Sequence, residues 1–166
     1  MNQIIRKLIN EGNYSPAMKA SLLFFAENTV ATNCNNVLKS FNTDTNGIKA
    51  ESLTVITDYI QCILDDNILE TEEMNTLLAL KRFFRIHEGD FLKFKRHEAI
   101  KQILSEQLRR IYLDNKVDKS EACMKVDLQA LFGLSYDEFL SFEQEAVEEA
   151  LKSGAELSNL DTFYRI

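Results

Sequence analysis

The feature that most constrains the fold of this chain is its scarcity of residues that interrupt helices. The 166 residues include one proline and five glycines. Because proline and glycine punctuate turns and series of short strands, so few of them favour long helices. No stretch alternates apolar and polar residues in the way that a half-buried strand does. The sequence therefore predicts an all-α fold.

Apolar residues recur at helical spacing along most of the chain. Ser15 before Pro16 predicts a helix start, because serine caps helices and proline is tolerated at the first helical position. Ser135 and Glu138 form a capping box, and Gly133 predicts the end of the preceding helix. Thr71 and Ser120 are the predicted caps of two further helices. Residues 1–166 are thus predicted to form a single domain, a compact bundle of six or seven helices at about residues 3–9, 16–41 (with a break or bend near 28–33), 53–64, 71–84, 90–113, 120–133 and 136–153.

Composition places the chain among ordinary globular proteins, with 45% hydrophobic and 27% charged residues. The longest apolar run, Leu22 to Ala26, is far shorter than the ~20 residues that cross a bilayer, and no secretory signal is recognised. The three cysteines Cys34, Cys62 and Cys123 are odd in number and far apart. That spacing predicts reduced thiols. Together with the short apolar runs, it leads us to expect a cytoplasmic protein without a membrane span.

Two predicted turns share one pattern at an offset of 49 residues. Residues 64–72 read LDDNILETE and residues 113–121 read LDNKVDKSE, so both contain Leu-Asp, then Ile or Val, then Thr or Ser before Glu. One interpretation is purely structural: aspartate ends a helix, the branched residue packs onto the core, the hydroxyl caps the next helix, and glutamate faces its positive dipole end. The alternative is that Asp65, Glu72, Asp114 and Glu121 bind a divalent cation, since Ca²⁺, Mg²⁺ and Mn²⁺ prefer hard oxygen ligands.

These turns resemble the acidic connectors of the tellurite-resistance TerB-like domain, an all-helical family with pseudo-repeated halves. Its connector reads Asp-Gly-x-(Ile/Val)-x-x-x-Glu, and Asp65, Ile68 and Glu72 match it once. Asp114, Val117 and Glu121 match it again. The resemblance covers residues 53–151 and leaves residues 1–45 without a counterpart. It implies suspected metal binding by the acidic residues and a non-catalytic role in stress response. The chain departs from the family at the glycine position, where Asp66 and Asn115 stand, two residue types that tolerate the left-handed conformation.

Charge is divided unevenly along the chain, whose net charge is −7. Residues 81–110 carry a net +5 and residues 127–161 a net −8. Either the basic helices pack against the acidic end, within the fold or across a dimer, or they bind an anionic partner. The second case assigns partner binding to Arg82, Arg85, Lys93 and Arg96. A sequence pI of 4.9 disfavours nucleic acid, because phosphate contacts usually come with a basic domain.

The sequence contains no recognisable catalytic motif. His97-Glu98 begins like a zinc-protease helix but lacks the second histidine, and no phosphate-binding glycine loop or nucleophile elbow occurs. The acidic residues of the last long helix, Glu143, Glu145, Glu148 and Glu149, are predicted to face solvent. We therefore expect a protein that is not an enzyme.

Three functional hypotheses follow from these patterns. The leading one is a non-catalytic, TerB-like interaction domain in bacterial stress or defence physiology, with a divalent cation at the two acidic turns. The second is a nucleic-acid- or anion-associated regulator that uses the basic residues between 81 and 110. The third is a homo-oligomeric structural protein whose acidic last helix docks on the basic helices of a second copy.

Overall fold

The computed structural model describes residues 3–28, 33–65 and 69–160 of the chain. All regular secondary structure in these ranges is helical, so the predicted all-α class is confirmed. Seven of the helices have at least nine residues, which agrees with the predicted six or seven, and three others are short. In chain order the helices are α1 Gln3–Glu11, α2 Pro16–Glu27, α3 Asn35–Lys39, α4 Lys49–Ile63, α5 Thr71–Phe83, α6 Asp90–Lys93, α7 His97–Ile111, α8 Lys119–Phe132, α9 Tyr136–Lys152 and α10 Leu157–Leu160.

Contacts group the chain into two compact units, Met1–Asp90 and Phe91–Ile166. The segment that resembles the TerB-like family, residues 53–151, includes parts of both. Among the described residues, no helix combines the length and the apolar character needed to cross a membrane.

The first unit is organised around α4, which packs against α1 and α5. Nine of the fifteen residues of α4 are buried, and the side chain of Tyr59 is fully enclosed. The first unit also contains an aromatic cluster, in which the centroid of the Phe83 ring lies 5.2 Å from that of Phe25 and 5.0 Å from that of Phe84. Aromatic pairs at this spacing add to the stabilisation from burial.

One loop of the first unit is held by polar side chains of α4. The Ser15 hydroxyl caps α2 as predicted, accepting from Met18 N at 3.2 Å. Ser15 N and Oγ in turn donate to the Glu51 carboxylate, at 2.5 and 2.7 Å. The Tyr14 hydroxyl donates to Asp58, and burial together with this hydrogen bond raises the pKa of Tyr14 well above its usual range. These bonds fix the turn between α1 and α2 onto α4.

A buried ion pair fixes the end of the first unit. Lys49 Nζ lies 3.2 Å from Asp90 Oδ2 and donates to the Arg85 carbonyl at 2.5 Å. Asp90 Oδ2 also accepts from His87 N at 2.9 Å. Burial disfavours ionisation of Asp90, but the His87 N–H and the Lys49 ammonium outweigh it and hold its pKa below the usual range.

The second unit is built on α7, which packs along α9 and against α8. Its buried side chains Ile100, Leu104 and Leu108 recur at intervals of four residues along one face of α7. Phe91 meets Phe132 edge-to-face, with ring centroids 5.7 Å apart. The short α10, which the sequence did not predict, is joined to the chain before α8 by a Val117 N to Asn159 O bond of 2.9 Å.

The prediction of one helix over residues 90–113 is wrong, because α6 ends before α7 begins. Lys95 takes a left-handed backbone (φ 57°). Arg96 N then donates to Phe91 O at 2.8 Å and Lys95 N to Leu92 O at 3.0 Å, the paired bonds that close a helix. Lysine here does what glycine does at Gly133 (φ 61°), so no glycine marks this helix end in the sequence.

Candidate functional site

The first acidic connector links α4 to α5. Asp65 follows the end of α4 and Glu72 lies in the first turn of α5, and both side chains are exposed. Between them Asp66, Asn67 and the predicted plug Ile68 lie outside the described residues. The first residue before α5 is Glu70, whose N–H donates to Glu73 Oε2 at 3.1 Å. The predicted cap, Thr71, is therefore wrong by one position, since it is already the first residue of α5.

The second connector links α7 to α8, and the structure describes all of it. Asp114 is exposed, and its Oδ1 accepts from Lys116 N at 3.0 Å, which tightens the turn. Asn115 adopts φ 61°, which confirms that asparagine takes the left-handed conformation where the family pattern has glycine. Val117 is 1% exposed, so the predicted plug onto the core is confirmed here.

A capping box begins α8, but it uses Asp118 and not the predicted Ser120. Asp118 Oδ1 accepts from Glu121 N, and Glu121 Oε2 accepts from Asp118 N, both at 2.8 Å. Ser120 is the second residue of the helix, where its hydroxyl has no capping role. Aspartate is as good a cap as serine, so the sequence offers two acceptable caps close together. The helix begins after the earlier one, Asp118.

The two connectors are therefore not equivalent in structure. Glu121 is the third residue of α8 and closes its capping box, whereas Glu72 is the second residue of α5. Among the described residues, no three His, Cys, Asp or Glu side chains are grouped closely enough to hold a metal ion. The cation site at Asp65, Glu72, Asp114 and Glu121 stays a prediction.

The four residues assigned to an anionic partner are distributed over both units. Arg82 and Arg85 are exposed at the end of α5 in the first unit. In the second unit Lys93 is exposed, with its ammonium 6.0 Å from the Phe94 ring, and Arg96 is half-buried before α7. The structure thus places these residues in two pairs, one in each unit.

Within the second unit, the acidic α9 is partly neutralised by the basic α7. Lys101 Nζ lies 2.7 Å from Glu145 Oε1, and Arg109 Nε lies 3.7 Å from Glu149 Oε2. The hydrogen bond and charge of Glu145 raise the pKa of Lys101. These contacts favour the interpretation that opposite charges pair within the fold.

One acidic residue of α9 does not face solvent as predicted. Glu143 is 6% exposed, and its Oε1 accepts a hydrogen bond from the Tyr112 hydroxyl. Lys125 Nζ lies 2.5 Å from the same oxygen and 5.6 Å from the centre of the Tyr112 ring. Three helices therefore contribute to one buried network: Tyr112 caps the end of α7, Lys125 comes from α8 and Glu143 from α9.

The sequence does contain a signal for the burial of Glu143. Phe139, Glu143, Ala146 and Ala150 follow each other at intervals of four, three and four residues, which places them on one face of a helix. Phe139 and Ala150 are buried, and Glu143 lies on the apolar face between them. The cluster of neighbouring acidic residues obscured this position, because it suggested one continuous charged face.

The network lies at a groove between α8 and α9. The groove encloses about 360 Å³ and has both apolar and polar walls. Val126 and Tyr136 stand on its rim, with 65% and 57% of their surfaces exposed. Pockets of a few hundred Å³ with apolar walls and a few polar groups are typical of ligand sites. The lining includes Ala122, Lys125 and Val126 of α8 and Tyr136, Phe139 and Glu143 of α9.

The chain was compared with protein-family models, curated proteins and solved structures. No family model, no curated protein and no solved structure matches the chain.

Proposed function

We propose that this protein is a non-catalytic helical binding domain and that the groove between α8 and α9 is its ligand site. The observation that carries the proposal is the buried Tyr112–Lys125–Glu143 network at an open, largely apolar groove. Charged groups are expensive to bury, and a few polar groups placed in an apolar pocket are typical of ligand sites. The non-catalytic part rests on the sequence, in which no catalytic motif is recognised.

Exposed apolar surface at the groove supports the same proposal. Val126 and Tyr136 of the lining present large side chains that are 65% and 57% exposed. Scattered apolar residues are normal on a protein surface, but apolar residues on the rim of a groove mark interaction sites. A ligand seated there would cover side chains that now face water.

Binding of a neutral solvatochromic dye, Nile red, tests the proposal. We expect its fluorescence to rise and shift to shorter wavelength with the wild-type chain. Ala122→Leu fills part of the groove and should weaken dye binding at least tenfold. Ala130→Leu makes the same change at an exposed position of α8 that is not among the lining residues and should bind as wild type.

A second variant protects this test against a folding defect. Val126→Asp puts a charge on the rim of the groove. The position is mostly exposed, so we expect the variant to fold and to bind Nile red more weakly than wild type. Equal dye binding by wild type, Ala122→Leu and Val126→Asp, with folding checked by circular dichroism, would rule out the groove as the site.

The resemblance of the connectors to TerB-like domains extends the proposal to bacterial stress or defence physiology. The left-handed Asn115 supports the likeness, since it reproduces the backbone that the family's glycine would take. A divalent cation at the acidic turns is the further element of this proposal. Titration of metal-free protein with Ca²⁺, Mg²⁺, Mn²⁺ and Zn²⁺ tests it, and absence of both heat and thermal stabilisation at millimolar concentration would remove it.

A further inference from the structure

The network at the groove is not explained by stability alone. An ion pair such as Lys125–Glu143 loses much of its hydration on burial, and apolar residues of similar size often serve stability as well or better. Glu143 is 6% exposed as a residue, and the Lys125 side chain is 19% exposed. Both residues also line the groove. Their position points to recognition of a ligand's polar group.

The charges of the network define which polar group fits. Lys125 and Glu143 sum to zero, so neither an anion nor a cation is favoured overall. A ligand carboxylate would meet the Glu143 carboxylate, and a ligand amine would meet the Lys125 ammonium. An uncharged group avoids both repulsions and keeps the ion pair intact.

The hydrogen bonds already made within the network show which of its groups can donate to a ligand. Glu143 Oε1 already receives the Tyr112 hydroxyl and faces the Lys125 ammonium. An ammonium carries three donors, so Lys125 retains donors beyond the one directed to Glu143. The Lys125 ammonium can therefore donate to an acceptor on a ligand in the groove, such as a carbonyl oxygen.

The volume of the groove sets the size of the apolar body. An apolar cavity of about 150 Å³ is enough to bind benzene. The groove encloses about 360 Å³, a little more than twice that volume. Two aromatic rings, or an aliphatic body of similar size, would fill it.

We infer that the groove binds small, uncharged, largely apolar molecules that carry a carbonyl acceptor, with the Lys125 ammonium donating to that oxygen. This inference rests on the proposed function, because it assigns the chemistry of the ligand at the same site.

A matched set of four probes tests the inference by displacement of Nile red from the wild-type chain. Benzophenone carries the carbonyl, diphenylmethane lacks it, diphenylmethylamine is a cation and diphenylacetate an anion, all on two phenyl rings. We expect benzophenone to bind about tenfold more tightly than diphenylmethane, the size of one hydrogen bond to a charged donor. The amine and the acid should bind no better than diphenylmethane.

Variants locate the preference in the network. The triple variant Tyr112→Phe, Lys125→Met, Glu143→Leu should bind benzophenone and diphenylmethane equally. Lys101→Met, which removes a lysine of α7 that is not among the lining residues, should keep the tenfold preference. The comparison of probes in the wild-type chain decides the inference even if the triple variant does not fold.

The outcomes separate this inference from the proposed function. If Nile red does not bind the groove, the proposed function fails and the inference with it. If the dye binds but benzophenone is no better than diphenylmethane, only the inference is overturned. Tightest binding by the amine or by diphenylacetate would also overturn it, since either would show that the site reads charge.

Discussion

In the first unit both members of the buried ion pair also bond to the backbone, whereas in the second unit the contacts that join the buried network run between side chains. Lys49 donates to the Arg85 carbonyl, and its partner Asp90 accepts from His87 N. In the second unit the contacts of Glu143 run to the side chains of Tyr112 and Lys125. A buried backbone group must be satisfied in any folded chain, but a set of side chains can be exchanged for apolar ones. The comparison separates a network that holds the backbone from one for which we propose a role in ligand binding.

The largest expected effect is in the first unit. Lys49→Met with Asp90→Leu removes both charges but leaves the Arg85 carbonyl and the His87 N–H without these partners. We expect a loss of about 3 kcal/mol in total in the free energy of unfolding, in the lower half of the roughly 1–3 kcal/mol that each unsatisfied buried group costs, because both hydrogen bonds are only partly buried. Hydrogen exchange of peptides from residues 3–90 in the full chain measures it. A loss below 1 kcal/mol would contradict a structural role for the pair.

The pH dependence of stability provides a second test of the Lys49–Asp90 pair. The ionised Asp90 contributes stability above the pKa of the unfolded aspartate, and this contribution is lost as pH falls through its lower folded pKa. The double variant should therefore lose less stability than wild type on acidification below pH 4. Parallel acid profiles of the two proteins would contradict the assignment.

In the second unit, replacing the whole network with apolar side chains is expected to cost little stability, unlike the double replacement in the first unit. Lys125→Met alone leaves Glu143 buried without its cation and should cost about 2 kcal/mol. The triple variant Tyr112→Phe, Lys125→Met, Glu143→Leu should return to within about 1 kcal/mol of wild type, because no charge is left buried. Hydrogen exchange of peptides from residues 91–160 reports both. A triple variant less stable than Lys125→Met would show that the network is structural after all.

The connector between α7 and α8 provides a smaller comparison, between two candidate caps of α8. Asp118→Ala removes the capping box of α8 and should cost about 1 kcal/mol. Ser120→Ala, at the cap position that the sequence predicted, should leave stability unchanged. Urea unfolding followed by far-UV circular dichroism distinguishes them, and a larger loss for Ser120→Ala would reinstate the predicted cap.

The smallest effect concerns a single charge of the first unit. Burial lowers the pKa of Lys81 to about 8, against about 10.4 in an unfolded chain. Between these values the unfolded chain binds more protons, so stability rises with pH and the full penalty applies below pH 8. Because Lys81 is only half-buried, we expect Lys81→Met to gain about 1 kcal/mol at pH 7 and nothing at pH 11. Urea unfolding at both pH values, with Lys39→Met at an exposed position of the same unit as the control, measures the difference.

Local chemistry made much of the fold predictable. Ser15 and Ser135 cap their helices as expected, and Gly133 ends α8 in the left-handed conformation. The helix end at Lys95 was not predictable, because nothing in a lysine marks a left-handed backbone. The cap of α8 was predicted two residues late, since Asp118 and Ser120 have similar local preferences.

The candidate site was far less accessible to sequence reasoning. Glu143 stands among acidic neighbours, and only its spacing from Phe139 and Ala150 hinted at burial. Lys125 and Tyr112 lie 18 and 31 residues from Glu143 along the chain. No local pattern connects residues at such separations.

The sequence by itself determined the helical class, because few chain-breakers, helical spacing and good caps act within a few residues of each other. The tertiary structure alone decided which charges are buried and what they meet. Packing of α7, α8 and α9 brings the Tyr112 hydroxyl and the Lys125 ammonium to one carboxylate oxygen of Glu143 and leaves a groove beside them. Burial and electrostatic pairing depend on contacts between distant segments, and these exist only once the helices have packed.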